Sequence, residues 1–172
     1  IIKSFKRHHV KLAFFTQSEV AKYIGSQLPY TKCIHIPEGL NSTGYKLGKS
    51  LTERNIDILE IGRTFEKFHN CIVDELIGYT HQYPQNDQLL FSTFDELTDG
   101  LADAKITICF PRCLTHPKQA GNIETLTQRY WECMFSRSLI LGHAPRELID
   151  LLGYNPVIEV DWKNIRRQVI SL

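Results

Sequence analysis

Two apolar rhythms alternate along the chain. Short compact runs stand at VKLAFF (10–15), CIHIP (33–37), IDILEIG (56–62), QLLFSTF (88–94), ITICF (106–110), SLILG (138–142) and PVIEV (156–160). They are too short for helices and predict strands. Between them apolar residues recur at three- and four-residue steps, the spacing of one helix face. Thr16 and Glu19 have the spacing of a capping box, opening a helix to about Leu28 that Pro29 ends. Phe65, Phe68, Ile72, Leu76 and Tyr79 predict one apolar stripe on a helix. DELTDGLADA (95–104) reads as a helix weakened by Gly100, and PRELIDLLG (145–153) as one opened by Pro145 and closed by Gly153. KNIRRQVISL (163–172) begins a last helix, whereas the basic run KSFKRHHVK (3–11) reads as a solvated lead-in to the first strand.

Repeated strand–helix units of this length predict an α/β fold: a Rossmann-like parallel sheet with helices on both faces. EGLNSTGYKLGKSLTERN (38–55) is rich in glycine and serine and reads as a linker, after which the pattern restarts. The expected division is residues 1–48 and residues 49–172. Ligands of such sheets bind beyond the carboxyl ends of the strands. The segments to inspect are therefore 62–65 and 111–124.

Composition narrows the picture only a little. The chain is 42% hydrophobic and 23% charged, as expected of a globular domain, and its formal net charge of +1 offers no general attraction to nucleic acid. The cysteines, Cys33, Cys71, Cys109, Cys113 and Cys133, mostly lie in apolar segments and read as reduced thiols in a cytoplasmic protein. The Cys109–Cys113 spacing is not that of a zinc knuckle, and no apolar run is long enough to cross a bilayer. Peripheral contact of a longer protein with a membrane stays open.

The segment GNIETLTQRYWECM (121–134) carries the candidate chemistry. With Thr125 as N-cap and Gln128 completing a capping box, the amides of Leu126, Thr127 and Gln128 would lack intrahelical partners and attract phosphate. Glu124 and Glu132 would flank that turn on roughly one side. Carboxylates repel phosphate but accept hydrogen bonds from hydroxyls. The pattern therefore suits a nucleoside diphosphate sugar, with Arg63 and Lys67 after the third strand supplying positive charge. His116 and His143 are secondary candidates. Cys113 has no adjacent base to make it a nucleophile.

Four stretches in order resemble the donor-binding, C-terminal half of a GT-B fold glycosyltransferase of the family-4 type. IPEGL (36–40) is similar to the interdomain crossover, and DILEIGRTFEK (57–67) to the strand that ends in Gly-Arg with a following lysine. LADAKITICFPR (101–112) is similar to the approach to the donor loop, and GNIETLTQRYWECM to the E-x7-E motif, with Glu124 and Glu132 as its acids. The resemblance implies retaining, metal-independent transfer of a sugar to a glycan or lipid-linked acceptor, with no cofactor beyond the nucleotide sugar. It implies Arg63 and Lys67 on the diphosphate, Glu124 as the catalytic residue at the hydroxyls of the donor sugar, and Glu132 on the ribose. Amides near Thr127 and Gln128 would cradle the distal phosphate, and the Ser92–Phe94 loop would meet the base. The family places glycines where Thr125, Thr127 and Arg137 stand here. It also requires an N-terminal domain, so this chain alone is expected to bind nucleotide weakly and to turn over little. A non-catalytic nucleotide-binding domain of the same fold, or a GT-B nucleotide-sugar epimerase, is the alternative; the E-x7-E pattern favours the transferase. No G-x-G-x-x-G follows a strand, which disfavours a dinucleotide-dependent oxidoreductase.

Overall fold

The computed structural model describes residues 1–85 and 88–172. Its first elements are α1 (Ile2–Arg7), β1 (Leu12–Phe15), α2 (Ser18–Gln27) and β2 (Lys32–His35). After an irregular stretch come β3 (Ile56–Leu59), α3 (Glu66–His69), β4 (His81–Gln82), α4 (Phe94–Asp103) and β5 (Ala104–Cys109). Two short helical turns follow, α5 (Arg112–Thr115) and α6 (Pro117–Ala120), then α7 (Gln128–Phe135) and β6 (Leu139–Gly142). The chain closes with α8 (Arg146–Leu152), β7 (Val157–Glu159) and α9 (Ile165–Ser171).

Strands β4-β3-β5-β6-β7 form one five-stranded sheet, and every pairing in it is parallel. Helices flank it on both faces, as a Rossmann-like fold requires. Leu59, Cys109 and Ile140 point to one side, where Leu101 of α4, Tyr130 and Cys133 of α7 and Leu148 of α8 cover them. Ile58, Ile106 and Leu141 point to the other, against Phe68 of α3 and Ile165 and Val169 of α9. Strands buried on both faces are mostly apolar, with Asp57, Lys105 and Thr107 the polar exceptions in β3 and β5, which is why these runs read so clearly in the sequence. Strands β1 and β2 pair in a separate two-stranded parallel sheet.

Four expectations are corrected. Residues 88–94 are not a strand; the edge strand is β4, at His81–Gln82. Helix initiation takes the end of that run. The Thr93 hydroxyl accepts the Glu96 amide, and the Glu96 carboxylate accepts the amides of Thr93 and Ser92, so α4 starts at Phe94. The stripe from Phe65 to Tyr79 is helical only over α3. Beyond it, three-residue turns continue, with Ile72 bonded to His69 and Glu75 to Ile72. They still bury Phe68, Ile72 and Leu76, while Tyr79 stays exposed. The Thr16–Glu19 cap does not form: Gln17 is the N-cap of α2, and the Ser18 amide and hydroxyl donate to Glu147 of α8. The basic N-terminal run is helix α1 rather than a plain lead-in.

The end of α7 explains one departure from the glycine pattern. Ser138 N–H donates to the Cys133 carbonyl and Arg137 N–H to that of Met134, a Schellman closure. Arg137 therefore sits in the left-handed region, at φ 57°. A glycine there carries no Cβ penalty. Arg137→Gly should raise stability by about 1 kcal/mol. That would show as a rise of a few degrees in thermal unfolding; a fall would show that the exposed Arg137 side chain outweighs the strain.

Candidate functional site: a cationic cleft at the strand ends

The carboxyl ends of β3 and β5 open into a cleft of about 520 Å³. Gly62, at φ 77°, turns the chain sharply as it leaves β3 and presents Arg63 to this cleft. Opposite stand Thr127, Gln128, Arg129 and Glu132 of the α7 start. The cationic strand tip and the head of the acidic helix thus share one concavity, as a ligand spanning both requires. Glu38, from the stretch between the two sheets, and Leu89 complete the rim. A larger cavity, about 650 Å³, lies along the α4 flank and the start of β3. It does not sit at the carboxyl strand ends, where parallel sheets place their ligands.

Arg63 and Arg129 line the cleft against Glu38 and Glu132, and Arg112 adds a third cation near Arg63. Burial lowers the pKa of Arg63, and the like charges of Arg112 and Arg129 lower it further. Arginine stays protonated despite such shifts. Three guanidinium groups close enough to repel one another store a field that an anion would relieve. Arg129 has one local counter-charge: its Nη1 lies 2.7 Å from Glu132 Oε2. The angle is not that of a hydrogen bond, so this buried nitrogen has no hydrogen-bond acceptor.

Glu132 is buried at 7% exposure. Its other oxygen, Oε1, accepts a 2.8 Å bond from the Tyr45 hydroxyl. Burial, then the bond to Glu132, pushes the Tyr45 pKa up to about 12, so it is a donor at neutral pH. The Tyr45 ring packs edge-on against Phe94 and Phe135. The irregular stretch after β2 is thereby pinned to α7.

Glu124 stands elsewhere. The expected cap at Thr125 is not formed; Thr127 is the N-cap, in extended backbone, and α7 begins at Gln128. The free amides are accordingly those of Gln128 and Arg129, since Tyr130 already donates to the Thr127 carbonyl, and Glu124 lies a few residues ahead of the helix. Its Oε1 is 2.9 Å from His143 Nε2, and its Oε2 accepts the Arg146 amide. The other nitrogen of His143 lies 3.0 Å from Glu159, at the end of β7. The turn into His143 depends on Gly142, where a Cβ would come within 1.8 Å of the Cys109 carbonyl oxygen. The Tyr130 hydroxyl, donating to the His143 carbonyl at 2.7 Å, ties this turn to α7. Burial and the Glu124 charge raise the Cys113 pKa, so its thiol is protonated and no nucleophile.

Of the residues singled out in sequence, Arg63, Thr127, Gln128 and Glu132 come together. Lys67 does not join them: its ammonium lies 4.2 Å over the Trp162 ring. Ser92 and Phe94 are likewise away from the cleft, Ser92 held by the α4 cap and Phe94 by Tyr45. Arg129, Arg112 and Tyr45 were not legible as site residues. Arg129 and Glu132 look like an ordinary surface pair three residues apart, and nothing local marks Tyr45. Among the described residues, one further group brings metal-ligating atoms together: Glu60, His69 and His81. No helix among them is long and apolar enough to cross a membrane. Comparison with protein-family models, with curated proteins and with solved structures found no match.

The Glu124–His143–Glu159 chain has a pH signature. Burial lowers the His143 pKa, but the hydrogen bonds to Glu124 and Glu159 outweigh it, and the net shift is upward from 6.5. A raised folded-state value means that the charged form favours folding. Its contribution is complete below the unfolded value and fades as pH rises through the folded one. NMR titration of the imidazole should place His143 above 6.5. The stability difference between the parent and His143→Asn should be largest in acid and shrink with rising pH. A midpoint below the ordinary value would contradict this balance.

Proposed function

We propose that the chain is the donor-binding half of a retaining, metal-independent glycosyltransferase that takes its sugar from a nucleoside diphosphate. One observation carries the reading: Arg63, at the tip of β3, shares a cleft with Thr127, Gln128 and Arg129, at the head of α7. In this reading the diphosphate lies between Arg63 and Arg129, against the free amides that open α7. Glu132, held in place by Tyr45 and Arg129, accepts from the ribose hydroxyls. Glu124, oriented by His143 and the Arg146 amide, meets the hydroxyls of the transferred sugar and is the catalytic carboxylate. Lys67, Ser92 and Phe94 drop out of the donor contacts, and Arg129 takes the place expected of Lys67.

The first sheet fits the same reading. Leu12 and Phe14 of β1 are exposed, leaving an apolar side of the small sheet open. Further strands of an N-terminal domain, bearing the acceptor site, would cover it. A non-catalytic nucleotide-binding domain is the second reading, favoured by the full engagement of both Glu132 oxygens within the protein.

Calorimetric titration with UDP, GDP and ADP tests the cleft. At least one should bind, and Arg63→Ala should weaken it at least tenfold, about 1.4 kcal/mol. Glu132→Gln should weaken it by a similar factor if the ribose contact is real. Absence of binding by all of these nucleotides would remove both readings. Binding without sugar transfer, even when the chain is joined to its acceptor domain, would select the second.

A further inference from the structure

At the far edge of the sheet, three side chains from separate elements converge on one point. Glu60 follows β3, His69 ends α3, and His81 opens the edge strand β4. Glu60 Oε1 lies 2.8 Å from His69 Nδ1 and 2.9 Å from His81 Nε2. The three potential ligand atoms all lie within 4.8 Å of one another. Side-chain exposure is 5% for Glu60, 16% for His69 and 7% for His81. The Tyr83 ring packs at 4.7 Å from both imidazoles and restricts their rotation.

Hydrogen bonding alone serves these groups poorly. Two imidazoles share one carboxylate oxygen. His81 Nδ1 is buried with no hydrogen-bond partner, so the ring has a single polar contact for its burial. We propose that Glu60, His69 and His81 bind one divalent transition ion of the zinc class, with water completing the shell. Two imidazole nitrogens and one carboxylate oxygen are a common ligand set for such ions. Metal–ligand bonds of about 2.0–2.2 Å separate neighbouring donors by roughly 3–3.5 Å, so the two carboxylate–imidazole spacings need only a small outward shift. In the bound state the imidazole protons sit on His69 Nε2 and His81 Nδ1, so that His69 Nδ1 and His81 Nε2 offer their lone pairs to the ion. His81 Nδ1 lacks a partner in either tautomer, so ligation does not create a new unpaired group.

The ion is a staple. Strand β4 comprises only His81 and Gln82, and its pairing with β3 is correspondingly brief. One ion bonded to β3, α3 and β4 closes the loops between them and makes metal binding part of folding stability. It also braces the start of the turn through Gly62 to Arg63. Ion binding does not depend on what occupies the cleft, so it stands or falls separately from the nucleotide reading.

Cobalt(II) titration of the full chain, after removal of metals by chelation, tests the site. One equivalent should give the visible absorption of a four- or five-coordinate centre, and zinc should displace it. Glu60→Gln, His69→Ala and His81→Ala should each weaken binding at least tenfold, whereas a control with both His8→Ala and His9→Ala should bind as the parent does. Zinc should raise the unfolding temperature of the parent and not that of His69→Ala. If circular dichroism shows His81→Ala unfolded, the half-buried His69→Ala and the near-isosteric Glu60→Gln decide. No stoichiometric cobalt binding at micromolar protein, or equal binding by those two variants, overturns the proposal.

Discussion

Parallel pairing is the constraint from which the rest follows. Five strands running one way bring all their carboxyl ends to one edge, and the turns that leave those ends must share the space above it. Arg63 leaves β3 there, Arg112 follows β5, and His143 leaves β6. None of these turns is near another in sequence. Their meeting is a consequence of strand order and register, in which β5 lies between β3 and β6.

That edge carries two charge systems with opposite balances. At the cleft, Arg63 and Arg129, with Arg112 near Arg63, stand against two carboxylates, buried Glu132 and Glu38 on the rim, which leaves a surplus of one positive charge. Beside α8, Glu124 and Glu159 flank a single imidazole, and the surplus stays negative even when His143 is protonated. A ligand with a phosphorylated end and a hydroxylated end suits such a divided edge. The proposed nucleotide-sugar reading draws on this polarity.

Polar pins help attach the first unit to the larger sheet's surroundings. Glu147 of α8, itself only 7% exposed, accepts from the Ser18 amide and hydroxyl and lies 2.9 Å from His35 Nε2. A buried carboxylate with several partners is costly to strip of any one of them. Tyr45 and Glu132 form a similar pin at α7. Both connections are directional, so they set an orientation as well as a contact.

The chain's own periodicity determined the fold class. The runs at β3, β5, β6 and β7 are largely apolar, and Gly153 closes α8 in the left-handed conformation expected of a C-terminal glycine. Arg63, Thr127 and Gln128 could be placed together from the sequence because each stands beside a strand end or helix start that the pattern already marks, and Glu132 because of its eight-residue spacing from Glu124. Residues 88–94 misled because their β-forming composition was overridden by a cap at Thr93. Lys67 misled because its spacing says nothing of Trp162, which lies far along the chain. Arg129, Tyr45 and the Glu60–His69–His81 group could be found only in three dimensions. Local periodicity reports which face of an element is buried; which distant side chains meet at its end is decided by strand order, and strand order leaves no local mark in the sequence.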